Sequence, residues 1–255
     1  MAARMNRHST VIYLYGLTKK LAGTLEGVAG VDGASPVESL PCSGLLCWIS
    51  RVSKNDFADE LQRNMQDLDW LTTATLYHQR VVSTIAQLGD ILPARFGTVF
   101  LNEESLAQDI DSKKRILKAD LQRIKNSDEW GVKVFRRQPK AEVPPGPGRS
   151  GKDYLKAKAA LMQRRPEKIS DADIERFAGA LKRLAVGTAD IGKVSGGQRG
   201  LQWQTSLLLR RDDRKKFEAL LKKFSEEWAD RHQIEATGPW PPYSFVSRGG
   251  SEPTV

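Results

Sequence analysis

The chain has 255 residues and a mass of 28.4 kDa, enough for two domains of ordinary size. With 40% hydrophobic and 28% charged residues, each half can bury a core and keep a polar surface, which excludes wholesale disorder. The net charge is +9, and no apolar run approaches the roughly 18–20 residues of a membrane-spanning helix, so the chain is not expected to cross a bilayer.

Val11–Tyr15 (VIYLY) is apolar at every position, the pattern of a strand covered on both faces. Arg4 and Arg7 precede it, but the apolar stretch Val11–Leu17 is too short for a secretory signal, so the expected compartment is the cytosol. Leu45–Val52 is a second predicted strand. Asn55 or Asp56 then caps a predicted helix striped by Phe57, Leu61, Met65 and Leu68. The next helix starts near Thr73 and carries Tyr77, Val81, Ile85 and Leu88, with His78 on its flank as a packed, hydrogen-bonded histidine. Ile91–Phe100 (ILPARFGTVF) reads as a strand with Pro93 near its start. Asn102 caps a helix with Glu103 and Glu104 in its first turn and Leu106, Ile110, Leu117, Leu121 and Ile124 inside. Trp130–Phe135 closes this half as a strand.

Gln138–Gly151 holds four prolines and three glycines, which continue neither a helix nor a central strand. The charge steps at the same place. Residues 1–135 hold 16 basic and 16 acidic side chains, whereas residues 136–255 hold 24 and 15. Beyond it, Asp153–Arg164 is a predicted helix ended by Pro166. Ser170 opens another with Asp173 as its capping partner and the stripe Ile174, Phe177, Leu181 and Leu184. Ala189–Val194 and Leu201–Leu209 flank a glycine-rich turn. Asp212 caps a helix with Phe217, Leu220, Leu221, Phe224 and Trp228, and Gln233–Val246 is an extended run. The expectation is two α+β domains, 1–137 and 152–255, joined by the linker or loop 138–151.

No pattern of residues implies catalysis, and no cofactor or metal is expected. Gly187–Val194 nearly matches a phosphate-binding loop, but Val194 stands where Ser or Thr would hold magnesium, and glycines follow where a helix must open. Cys42 and Cys47 lack a second cysteine pair, and His8, His78 and His232 show no metal-ligand spacing, so the thiols read as buried and unreactive. The basic second half fits either a solvated surface or an acidic partner. Its charges are mixed with acids and lack an arginine-rich tail or a run of stacking aromatics, so nucleic acid is not expected; an anion- or nucleic-acid-binding module is the competing reading.

Two segments are candidate partner contacts. Arg95 and Phe96 sit in the apolar run LPARFGTVF, where a half-buried arginine needs either an internal ion pair or a partner. In TGPWPPYSFV, three prolines stiffen a path carrying Trp240, Tyr243 and Phe245. That segment either docks on its own domain, the favoured reading, or presents a preformed binding surface.

Taken in order, YLYGL at Tyr13–Leu17, His78 with Val81 and Val82, ILPARFGTVF, WGVKVF, GKDYLKAK, LLLRRDDRKKFEALLKKF and TGPWPPYSFV resemble the GvpF/GvpL family of gas vesicle proteins. The resemblance covers most of the chain, and the R-F-G and G-P-W-P-P-Y segments carry most of it. This chain departs from it in a basic balance and a proline-rich insert at Pro144–Gly148. The resemblance implies a ferredoxin-like second domain, location in the cytoplasm at gas vesicles, and a non-enzymatic role in assembly. It also implies binding to the small hydrophobic shell protein of the GvpA type and to other accessory proteins.

Overall fold

The computed structural model describes residues 10–20, 23, 25–137, 169–189 and 198–247. The chain forms two compact units, one of Met1–Glu129 with Pro239–Val255 and the other of Trp130–Gly238. Each is a mixed helix-and-sheet assembly with an antiparallel sheet, so the α+β expectation holds. The expected linker and the helix Asp153–Arg164 lie outside the described residues.

The first unit is built on β1 (Thr10–Thr18), which is buried at every position after Thr10. It pairs antiparallel with β3 (Leu45–Ser53), and β3 pairs with β2 (Glu38–Cys42). On the other side of β1 lie two short strands, β4 (Leu92–Pro93) and β5 (Val99–Phe100). Continuous burial of β1 requires cover on both faces, and two helices supply it. Helix α1 is the short turn Leu61–Asn64; α2 (Leu68–Leu88) and α3 (Glu103–Arg123) are the long ones. Alternation along β3 separates their positions. Trp48 and Val52 join Val11, Tyr13 and Tyr15 in a core with Ala74, Val81, Val82 and Ile85 of α2. Arg51, pointing the opposite way, bonds Glu103 at the start of α3, and Ser43 Oγ donates to Asp111 of the same helix at 2.6 Å.

Local chemistry explains most helix starts. Asn102 accepts from Ser105 N at 2.8 Å and Ser105 Oγ reaches back, a reciprocal cap. The segment before α2 departs from expectation. Asn55–Asp59 forms a π-helical turn, not the start of one long helix, and α2 begins at Leu68, earlier than Thr73. Asp67 decides this, because its carboxylate accepts from the amides of Asp69 and Trp70 at 3.0 and 3.1 Å and so fixes the first turn there. Met65 and Leu68, expected inside, are exposed. Strand β2 was not expected from the sequence, since its exposed, proline-bearing ESLPC lacks an apolar alternation.

Tyr15 ties the loop before β2 to the sheet. Its hydroxyl accepts from Val31 N at 2.7 Å and donates to Ser50 Oγ at 2.9 Å, which in turn donates to the Pro36 carbonyl at 2.8 Å. A Cβ on Gly30 would stand 2.8 Å from both the Tyr15 hydroxyl and the Ser35 carbonyl oxygen, and nearer still to Ser50 Oγ. Gly30→Ala is therefore expected to destabilise the fold by about 1–3 kcal/mol. Urea denaturation of variant and wild type measures this, and equal midpoints would show that the loop gives way freely.

Among the described residues, the elements of the second unit follow the order β6 (Ser127–Arg136), α4 (Asp171–Leu184), β7 (Gly187–Ala189), β8 (Leu201–Arg210), α5 (Arg214–Glu227) and β9 (His232–Trp240). Its sheet runs β7–β8–β6–β9. Trp130, Val132 and Val134 from β6 and Leu207 and Leu209 from β8 pack against Phe177 and Leu181 of α4 and Phe217 and Phe224 of α5. Ser170 caps α4 by accepting from Asp173 N at 3.1 Å, as its sequence implies. Helix α5 starts at Arg214 after a single 3-10 turn, Arg211–Asp213, so Asp212 is not its cap residue.

Candidate functional site

The run Ile91–Phe100 is not one strand. Pairing with β1 breaks after Ala94, whose amide donates to the Tyr15 carbonyl at 2.9 Å, and resumes where Leu14 N donates to the Thr98 carbonyl at 2.9 Å. Between these points Arg95–Thr98 makes a turn off the sheet edge. Both the amide and the hydroxyl of Thr98 donate to the Arg95 carbonyl, at 3.2 and 2.8 Å. Gly97 occupies the left-handed region at φ 80°, which a side chain would strain. Arg95 is thus exposed on a rigid turn, not half-buried inside a strand. The burial penalty that would have demanded an internal partner does not arise there.

Phe96 turns inward and is half-buried. Its ring lies 5.8 Å from His78, 6.3 Å from Tyr13 and 6.4 Å from Trp70, in edge-to-face arrangements with interplanar angles of 86°, 63° and 70°. The Tyr13 hydroxyl accepts from Gly97 N at 3.1 Å, so the strand that carries the core also holds the turn.

His78 is the point at which the two candidate segments meet. Its Nδ1 lies 2.9 Å from the Tyr13 hydroxyl and its Nε2 3.1 Å from the Tyr243 hydroxyl. A neutral imidazole, one nitrogen a donor and the other an acceptor, suits two such neighbours. Burial lowers its pKa to about 4, which a hydrogen bond with the Ala94 backbone opposes only in part. Burial also raises the phenols of Tyr13 and Tyr243 above their ordinary range and that of Tyr15 to about 12. This cluster is neutral at physiological pH and has no free general base. It is a structural hub.

The C-terminal segment docks on the same unit. Pro241, Pro242 and Phe245 are buried, and Tyr243–Phe245 forms a 3-10 turn. Glu129 accepts from the amide and hydroxyl of Ser244 at 2.9 and 2.6 Å. Asp120, buried in α3, accepts from the amide and hydroxyl of Ser247, both at 2.7 Å, and from Arg123 at the same distance. Arg123 also donates to the Phe245 carbonyl. Tyr243 and Phe245 thus dock on the first unit, not on the second-half domain to which the sequence reading assigned their segment. Trp240, at the end of β9, remains 47% exposed. Sequence reasoning missed Asp120, Arg123 and Glu129 as the clamp, because nothing local marks acids and a base more than a hundred residues away as its partners.

Elsewhere the chemistry is sparse. Among the described residues no group of histidine, cysteine and carboxylate side chains is placed to hold a metal. Cys42 and Cys47 are buried and unbridged, and burial raises the Cys47 thiol out of the reactive range. A groove of about 630 Å³ is lined by Leu25, Val28, Val37 and Trp48, with Glu26 and Glu38 as its only ionisable groups among the described residues. Glu38 is already paired with Arg51 at 2.8 Å. The glycine-rich segment falls largely outside the described residues.

Comparison with known proteins places this architecture. The family model described as "Gas vesicle synthesis protein GvpL/GvpF" matches residues 11–247. Gas vesicle protein L of Streptomyces sp. (strain CB03234) is 31% identical over 249 residues, spanning 92% of each chain. Gas vesicle protein F of Haloferax mediterranei is 24% identical over 239 residues, again spanning 92% of each. The crystal structure of GvpF from Anabaena sp. PCC7120 superposes with a TM-score of 0.68 at 18% identity, covering 94% of this chain and 99% of that one. GvpF from Microcystis aeruginosa gives a TM-score of 0.65 at 19% identity over 93% and 99%. Those two show a shared fold, and the first two comparisons carry the relationship: this chain belongs to the GvpL/GvpF family of gas vesicle synthesis proteins, with a role in gas vesicle formation.

Proposed function

We propose that the chain acts in vesicle formation as a non-enzymatic assembly or minor structural protein that binds the small hydrophobic shell protein and other accessory proteins. The contact surface of this proposal centres on the turn bearing Arg95 and Phe96, with Trp240 and Tyr243 of the C-terminal segment. The observation that carries it is the exposed Arg95 on a turn braced from the core by Tyr13, with the half-buried Phe96 beside it. An arginine and aromatics held at low entropic cost are the residue types that anchor protein interfaces. The hydrophobic shell subunit needs its apolar surface covered until it polymerises, and a rigid protein surface is suited to that.

Co-expression with the shell protein, followed by affinity capture of this chain, tests the reading. Wild type should recover the shell protein, and the paired substitution Arg95→Glu with Phe96→Ala should reduce recovery about tenfold or more, as expected of an interface anchor. If wild type captures no shell protein, alone or with the other accessory proteins present, the proposal fails. If the paired variant captures as well as wild type, the surface lies elsewhere.

A further inference from the structure

Sheet edges attract additional strands because their outward amides and carbonyls lack partners, and folded proteins usually keep such edges short or interrupt them. Among the described residues, three of the four edges conform. Strand β2 is five residues long, β4 and β5 are two residues each with a turn between them, and β7 has three described residues. The fourth does not. Strand β9 runs nine residues, pairs only with β6 among the described residues, and is exposed at most positions.

The ladder fixes which of its groups point outward. Arg136 N donates across to the Gly200 carbonyl, on the β8 side, and Arg137 N to the Arg231 carbonyl, on the β9 side. Alternation along the antiparallel pair then turns Gln233, Glu235 and Thr237 toward β6. Ile234, Ala236 and Gly238 present their amides and carbonyls to the free edge.

We propose that this edge pairs antiparallel with the same strand of a second copy, about a two-fold axis through Ala236. In that register Ala236 faces Ala236 of the second copy, Ile234 faces Gly238, Glu235 faces Thr237 and Gln233 faces Pro239. No like charges are opposed, and the glycine leaves room for the isoleucine. Each outward residue from Ile234 to Gly238 gives and accepts one bond. The contact is additional to the surface proposed for the shell protein and does not depend on it. Strand pairing alone buries less than the roughly 1,200–2,000 Å² of a stable interface, so the dimer is weak and concentration-dependent.

Sedimentation velocity of the full chain from sub-micromolar to sub-millimolar concentration tests this. Wild type should pass from monomer to dimer. Ala236→Lys sets two ammonium groups directly opposite one another while keeping the outward amide, and should weaken association about tenfold or more. An equimolar mixture of Ala236→Lys and Ala236→Glu chains should restore it, with unchanged circular dichroism confirming the fold. Wild type that stays monomeric throughout, or Ala236→Lys that dimerises as wild type does, would overturn the proposal. Loss of shell-protein capture leaves these outcomes unaffected.

Discussion

Between pH 6.5 and about 4 the folded chain should lose on the order of 3 kcal/mol of stability through His78 alone. The folded ring titrates near 4 because burial penalises its charge, whereas the unfolded ring takes up a proton near the ordinary 6.5. Above 6.5 both states are neutral and the stabilisation is fully present. As the pH falls, protonation favours the unfolded chain, and the loss levels off once the folded ring titrates as well. Carboxylates titrate in part of the same window, so the quantity to measure is the difference between wild type and His78→Gln in urea denaturation at successive pH values. Glutamine keeps hydrogen-bonding capacity but cannot be charged. The variant should be less stable at pH 7, and its stability should fall less steeply toward pH 4, so that the two profiles converge. Parallel profiles would mean that His78 is not buried between Tyr13 and Tyr243 in solution.

Truncating Phe177 should be the most damaging single change in the second unit. The side chain is fully buried, and its ring lies 4.8 Å from Phe224, 5.3 Å from Trp228 and 5.7 Å from Trp203. Phe177→Ala removes the residue at which α4 meets both α5 and the sheet, leaving a cavity that these rigid rings fill poorly. The expected cost is about 3–5 kcal/mol. Denaturation followed by tryptophan fluorescence reads it directly, since Trp203 and Trp228 report on the site. A loss below about 1 kcal/mol would show that the aromatic cluster repacks around the deletion.

Both predictions depend on residues whose burial is visible in the sequence, though their partners are not. Phe177 and Leu181 lie at helical spacing behind a Ser–Asp cap, and such local signals need only neighbouring residues. The same holds for β1, for the Asn102 cap and for the stripe Phe217, Leu221 and Phe224. The errors arose where a local pattern competed with a longer-range constraint. Apolar spacing from Phe57 to Leu68 suggested one helix, but Asp67 capped a later one and left Leu68 in solvent. An apolar run from Ile91 to Phe100 suggested one strand. The Tyr13 hydroxyl and the left-handed Gly97 instead hold a turn that lifts Arg95 off the sheet.

The candidate site shows the same division. Arg95, Phe96, Trp240 and Tyr243 stood out as residue types out of keeping with their surroundings, which is a property of sequence alone. The family resemblance is likewise written in the order of short segments along the chain. Only the tertiary structure could show that Tyr13, His78 and Tyr243 form one hydrogen-bonded relay, or that Glu129, Asp120 and Arg123 clamp the segment that follows Trp240. Hydrogen bonds are short-ranged and indifferent to sequence separation, so pairs 65 to 165 residues apart leave no periodicity to read. Composition, capping and hydrophobic spacing determined which elements form; the packing of β1 between two helices decided which polar groups meet.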